Sequence, residues 1–179
     1  MAWITKNSAA EKVEHRPEPY LTADIKKHIE DVYLPRYETK QGALLPTLHA
    51  VQEEAGWLPK QALMEIAEFL GLTPADVIDA ASFYEEFWLH RKGKNVVAVC
   101  RSIACEFCGS DAITKACKDK LGIGLHETTD DDQFTLVELE CLGSCGTAPV
   151  ALINHTLHEN VTPQRMQELI DEAAKSDSH

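Results

Sequence analysis

The apolar residues of the first half recur at helical spacing. Ile25, Ile29, Val32 and Tyr33 share one face of a predicted helix that starts near Thr22. Leu34-Pro35 predicts its end or a kink, because proline has no N–H for the next turn. A second helix is predicted over 43–55, with Leu44, Leu45, Leu48 and Val51 inward and Gly56 as the stop. A third has Pro59 near its start, a stripe of Leu63, Ile66, Ala67 and Leu70, and Gly71 after it. A fourth has Thr73 as its cap, Pro74 at its first position and Asp76 in its first turn. Residues 21–82 read as a small helical bundle, behind a polar arm at 1–20 that contains Pro17 and Pro19.

The period changes after this point. Residues 83–89 are aromatic and are predicted as a strand, followed by a turn over 92–95. Residues 96–100 form a β-branched apolar run, the pattern of a buried strand. Ser110 is placed to cap a helix that runs to Leu121 and stops at Gly122. Residues 134–140 read as a strand, and 150–153 and 156–158 as short strands around Asn154-His155. Thr162-Pro163 opens a last helix with Met166, Leu169, Ile170 and Ala173 inward. The second half is β-α-β-β-α in outline, so the chain is α+β, and no internal repeat is visible.

Charge excludes several functions. The chain carries 17 Lys+Arg against 29 Asp+Glu, a net −12, which predicts no nucleic-acid partner because phosphate contacts need cations. Anionic membrane surfaces are disfavoured for the same reason. The first twenty residues hold Glu11, Glu14 and Glu18 and no apolar run, unlike a secretory or transit segment. Apolar runs stay far below the ~20 residues of a membrane span, so no insertion is expected. An intracellular setting is expected, where thiols stay reduced and serve metals or redox chemistry. The sequon Asn160-Val161-Thr162 is then a chance match.

Six cysteines give the candidate chemistry: Cys100, Cys105, Cys108, Cys117, Cys141 and Cys145. Cys117 lies on the apolar face of its helix with Ile113, Ala116 and Leu121 and is expected to pack. The other five sit after two predicted strands, where thiolates from adjacent loops make a pocket for zinc, copper(I) or an iron–sulfur cluster. The spacing leaves four readings open. Cys100-x4-Cys105 and Cys141-x3-Cys145 form two pairs, each suited to one iron of a 2Fe–2S cluster. Cys100-x4-Cys105-x2-Cys108 with Cys141 is the plant-type ferredoxin spacing. Cys105-Glu106-Phe107-Cys108 is a dithiol motif ahead of a helix. A structural zinc site is also compatible.

The glycines add weight to a cluster. Gly143 and Gly146 interleave with Cys141 and Cys145, and Gly109 follows Cys108. Two ferric ions, two sulfides and four thiolates carry about −2, and about −3 after reduction, so such a cluster needs backbone N–H groups aimed at sulfur. Glycine lets the backbone approach and turn to aim them, although any one of these glycines is equally ordinary turn punctuation.

These residues resemble a known family. Cys100-Arg-Ser-Ile-Ala-Cys105 with Gly109-Ser110, Glu140-Cys141-Leu142-Gly143-Ser144-Cys145 and Ala148-Pro149 are similar to the small iron–sulfur (E) subunits of NADH–quinone oxidoreductases, respiratory complex I. Related modules occur in NAD-linked hydrogenases and formate dehydrogenases. The resemblance extends upstream to Leu44-Leu45-Pro46, His49, Gln52-Glu53-Glu54, Gly56-Trp57-Leu58-Pro59, Thr73-Pro74-Ala75-Asp76-Val77 and Ser82-Phe83-Tyr84, and covers roughly residues 20–175. It implies a helical domain over 21–90 and a thioredoxin-like α/β domain over 91–179. It implies one 2Fe–2S cluster on Cys100, Cys105, Cys141 and Cys145. It also implies an NADH- and FMN-binding partner subunit, and a cytoplasmic place peripheral to the inner membrane within a larger complex. Cys108 departs from the family pattern, which usually has no cysteine there, and is expected to hold no ligand role.

The chain has no Gly-x-Gly-x-x-Gly and no P-loop, so FMN and NAD are expected on the partner and not here. None of its eight histidines stands at a spacing that reads as catalytic, and His155 and His158 read as surface residues. Trp57 and Trp88 read as core or interface residues. The expected role is one-electron relay, in an enzyme subunit that is inactive alone. A free ferredoxin would not need the helical annex, and a zinc or dithiol-redox module is the rival of a different class. Residues 126–179 hold two basic and eleven acidic residues, a net −9 around the second cysteine pair. Negative surroundings disfavour adding an electron, which predicts a low reduction potential.

Overall fold

Thr22 opens α1 (Ala23–His28), its Oγ1 accepting the Ile25 N–H at 3.3 Å. The chain then widens into a π turn over Ile29–Tyr33 and tightens into a 3-10 turn over Leu34–Arg36. Pro35 lies in that last turn, so the interruption expected there is a change of helix type followed by the end of the helix. Next come α2 (Leu44–Ala55) and α3 (Lys60–Leu70), closed by Gly56 and Gly71 in left-handed geometry. The fourth helix, α4 (Pro74–Phe83), begins with a capping box: the Asp76 N–H donates to Thr73 Oγ1 at 3.2 Å and the Thr73 N–H to Asp76 Oδ2 at 3.0 Å. Leu48, Val51, Leu58, Ile66, Leu70 and Val77 fill the core between these helices.

The computed structural model describes residues 15–176. The chain divides into two compact units, one ending at Arg91 and one beginning at Lys92. Most of the predicted arm lies outside the described residues. Its last part runs along α3, with the Arg16 N–H donating to Gln61 Oε1 at 3.0 Å and the Leu21 N–H to Glu65 Oε2 at 2.9 Å.

The strand expected over 83–89 does not form. Phe83 is the last residue of α4, and the segment after it is held from α2. The Gln52 side chain accepts the Trp88 N–H at 2.7 Å and donates to the Glu86 carbonyl at 2.9 Å. The Leu58 N–H donates to the Trp88 carbonyl at 2.8 Å. These backbone groups are satisfied without a neighbouring strand, so aromatic β-propensity has nothing to act on.

The second unit is a five-stranded sheet in the order β2-β3-β1-β4-β5. Its strands are β1 (Asn95–Cys100), β2 (Glu127–Thr128), β3 (Phe134–Leu139), β4 (Ala151–Ile153) and β5 (Thr156–His158). β1 and β3 run parallel, and the other neighbours are antiparallel. Two helices, α6 (Ser110–Leu121) and α7 (Pro163–Ser176), pack together through a core of Val97, Val99, Ile113, Leu136, Met166 and Ile170. Gly109, at φ 93°, occupies the cap of α6, and Ser110 is its first residue rather than its cap. Residues 92–94 lead into β1 rather than turning freely: a side chain at Gly93 would meet the Phe134 backbone at 2.7 Å. Among the described residues no helix is long and apolar enough to cross a membrane.

Candidate metal centre

Parallel pairing sets Cys100, the last residue of β1, opposite Leu139, the last residue of β3. Two cysteine loops therefore leave the same end of the sheet from neighbouring strands. The Arg101 N–H donates to the Leu139 carbonyl at 2.9 Å, and the Arg101 guanidinium pairs with the Glu140 carboxylate. The first loop folds at once into a short helix, α5 (Ile103–Phe107), which carries Cys105 and ends at Cys108. The second loop carries Cys141 and reaches a 3-10 turn, Cys145–Thr147, before β4.

Cys100 and Cys105 form an inner pair, each 1% exposed, against Val150, with Leu142 and Ala148 packed around them. The Cys100 Sγ stands 3.8 Å from the Glu140 carbonyl of the other loop. Burial pushes the Cys105 thiol up, a backbone hydrogen bond at Val150 opposes that, and the neighbouring Cys100 and Cys145 sulfurs push it further. Cys141 and Cys145 form an outer, exposed pair with sulfurs 4.0 Å apart. The Gly143 N–H donates to Cys141 Sγ at 3.4 Å and is the main cause that holds this thiol below its ordinary value. Gly143 has φ 79°, a left-handed conformation in which its N–H can face the sulfur two residues back. Cys145 is pushed up by the adjacent Cys141.

The structure thus places the two cysteine pairs on neighbouring loops, with the Cys100 Sγ against the Glu140 carbonyl, one residue before Cys141. Cys108 is exposed on the following turn of chain from Cys105. Cys117 is fully buried in α6, and burial raises its thiol to about 12. His155 is exposed and His158 half-buried, at the β4–β5 hairpin. Among the described residues no three His, Cys, Asp or Glu side chains surround a single point as one metal ion would require.

A family model for thioredoxin-like 2Fe-2S ferredoxins matches residues 30–174. The chain belongs to the thioredoxin-like 2Fe-2S ferredoxin family. The NADH-quinone oxidoreductase E subunit of Rickettsia felis is 45% identical over 134 residues, covering 74% of this chain and 80% of that one. The mitochondrial NADH dehydrogenase (ubiquinone) flavoprotein 2 of Dictyostelium discoideum is 38% identical over 162 residues, 89% of this chain and 65% of that one. A solved NAD+-reducing NiFe hydrogenase superposes with a TM-score of 0.66 at 24% identity, over 78% of this chain and 23% of the hydrogenase chain, a likeness of fold.

The donor set suits the cluster of this thioredoxin-like 2Fe-2S ferredoxin family. Two thiolates on one tetrahedral metal, with metal–sulfur bonds of about 2.3 Å, sit about 3.8 Å apart. The outer pair already stands at 4.0 Å. The Gly143 N–H favours the thiolate form of Cys141, and the backbone bond at Val150 offsets part of the upward push of burial on Cys105. Sequence reasoning missed α5, the Arg101–Glu140 link and a carboxylate behind the outer loop, Glu159. A five-residue helix carries no period to detect, and the two links depend on strand pairing.

Proposed function

We propose that this chain is the electron-transfer subunit of an NADH dehydrogenase module, with Cys100, Cys105, Cys141 and Cys145 as the ligands of one 2Fe–2S cluster. The observation that supports the ligand set is the departure of both cysteine loops from the same end of the paired strands β1 and β3, with the Cys100 Sγ 3.8 Å from the Glu140 carbonyl beside Cys141. The parent module is argued from the relatives named as subunits of NADH dehydrogenases.

A bound 2Fe–2S cluster stores and releases one electron at a time. The chain's residues provide its surroundings. Leu142, Ala148 and Val150 wall the inner pair from water, which keeps local electrostatic interactions strong. The Gly143 N–H offsets negative charge at the Cys141 sulfur. Glu140, one residue before Cys141 and paired with Arg101, places negative charge beside the outer loop and acts in the opposite sense, toward a low potential. Cys141 and Cys145 are exposed, so the outer pair marks the edge that an electron partner approaches.

That partner, in this reading, is the subunit that binds NADH and FMN, in a complex peripheral to the cytoplasmic face of the inner membrane. The test is anaerobic reduction. With an NADH-oxidising flavoprotein subunit present, NADH should bleach the visible absorption of this chain; without it, NADH should leave the absorption unchanged. Bleaching of the isolated chain by NADH, or none in the complex, contradicts the proposal.

A further inference from the structure

The outer cysteine loop is held from behind by a single carboxylate. Ser144, the residue before Cys145, donates from Oγ to Glu159 Oε1 at 2.6 Å. Thr147, two residues after Cys145, donates from Oγ1 to the same oxygen at 2.6 Å. The two hydroxyl oxygens are 2.7 Å apart. The backbone continues the attachment: the Asn160 N–H donates to the Thr147 carbonyl at 2.8 Å and the Val161 N–H to the Pro149 carbonyl at 2.9 Å. Asn160 is left-handed, at φ 49°, where the chain leaves β5 and turns along the loop.

We infer that Glu159 is a positioning residue for the cluster: it clamps the loop bearing Cys141 and Cys145 and places a fixed negative charge beside it. This rests on the cluster reading above. The loop needs such a clamp. Its cysteines are exposed, Gly143 and Gly146 interrupt it, and its only regular element is a single 3-10 turn. An ionised carboxylate is suited to the task. One oxygen accepts hydrogen bonds from both hydroxyls, and O–H···O⁻ bonds are short, at about 2.5–2.7 Å. The charge is solvent-exposed, so its pull on the potential is screened and weakens with salt.

The test compares the cluster-loaded wild type with Glu159→Gln and Glu159→Ala. Glutamine keeps an acceptor oxygen and removes the charge. It should load iron and sulfide as the wild type does and give the same electron paramagnetic line shape. It should also titrate at a higher midpoint, with a difference that shrinks as salt rises. Alanine removes the clamp and should lose its visible absorption several-fold faster under chelator, with unchanged far-ultraviolet circular dichroism. If the alanine variant does not fold, the Ser144→Ala, Thr147→Val double variant keeps Glu159 and should show the same faster loss. Clamp-free variants that hold the cluster as long as the wild type overturn the inference, as does a Glu159→Gln midpoint equal to that of the wild type. A wild-type chain that takes up no iron and sulfide overturns the cluster reading instead.

Discussion

The Cys141 and Cys145 sulfurs stand 4.0 Å apart, close to the separation of two thiolates on one tetrahedral metal. A four-residue step in sequence thus brings two sulfurs to the distance a chelating pair needs, and the turn at Gly143 between them supplies an N–H to one of the sulfurs.

The pair predicts which thiols matter. Cys145→Ala should abolish a normal cluster, read as iron and sulfide per chain and as visible absorption. Cys108→Ala should leave both at wild-type levels, since Cys108, at the end of α5, belongs to neither pair. The reverse result assigns the ligands to Cys100, Cys105, Cys108 and Cys141, as in plant-type ferredoxins.

Gly143 and Gly146 should respond differently to alanine. Neither would bring its Cβ within 4 Å of another atom, so only backbone conformation separates them. Gly143→Ala forces a side chain into left-handed geometry at a cost of roughly 1–2 kcal/mol. Its cluster should be lost faster under chelator than that of the wild type. Gly146→Ala lacks that strain and should match the wild type. Equal behaviour of the two variants contradicts the role given to the Gly143 turn.

Legibility in the sequence followed the kind of signal. Thr22, Gly56, Gly71 and Thr73 mark helix ends correctly because caps satisfy backbone groups within a few residues. The β-branched run at 96–100 is a central strand, and the two cysteine loops leave the same end of the sheet because their strands pair. The failures depend on distant partners. Residues 83–89 look like a strand until Gln52 is seen to hold Trp88 and Glu86. The two-residue β2 exists only as a partner of β3. Glu159 carries no signal, because its partners Ser144 and Thr147 reach it only after the β4–β5 hairpin returns the chain.

Cys117 predicts an alkaline effect on stability. Below about pH 9 its thiol is neutral in folded and unfolded chains alike, and burial holds the folded value at about 12. Between those values the unfolded chain ionises Cys117 and the folded chain does not. Stability should therefore fall with rising pH, by up to about 1.4 kcal/mol per pH unit from this group alone. Cys117→Ala should flatten the curve by that amount when urea unfolding is compared across this range. Parallel curves for the two proteins contradict the assigned burial.

Metal analysis of the purified wild type, with electron paramagnetic resonance after dithionite reduction, tests the central claim. The expected result is a red-brown protein with about two irons and two sulfides per chain. Its one-electron signal should titrate in the low range of plant-type ferredoxins, near about −400 mV. A colourless protein with stoichiometric zinc contradicts it.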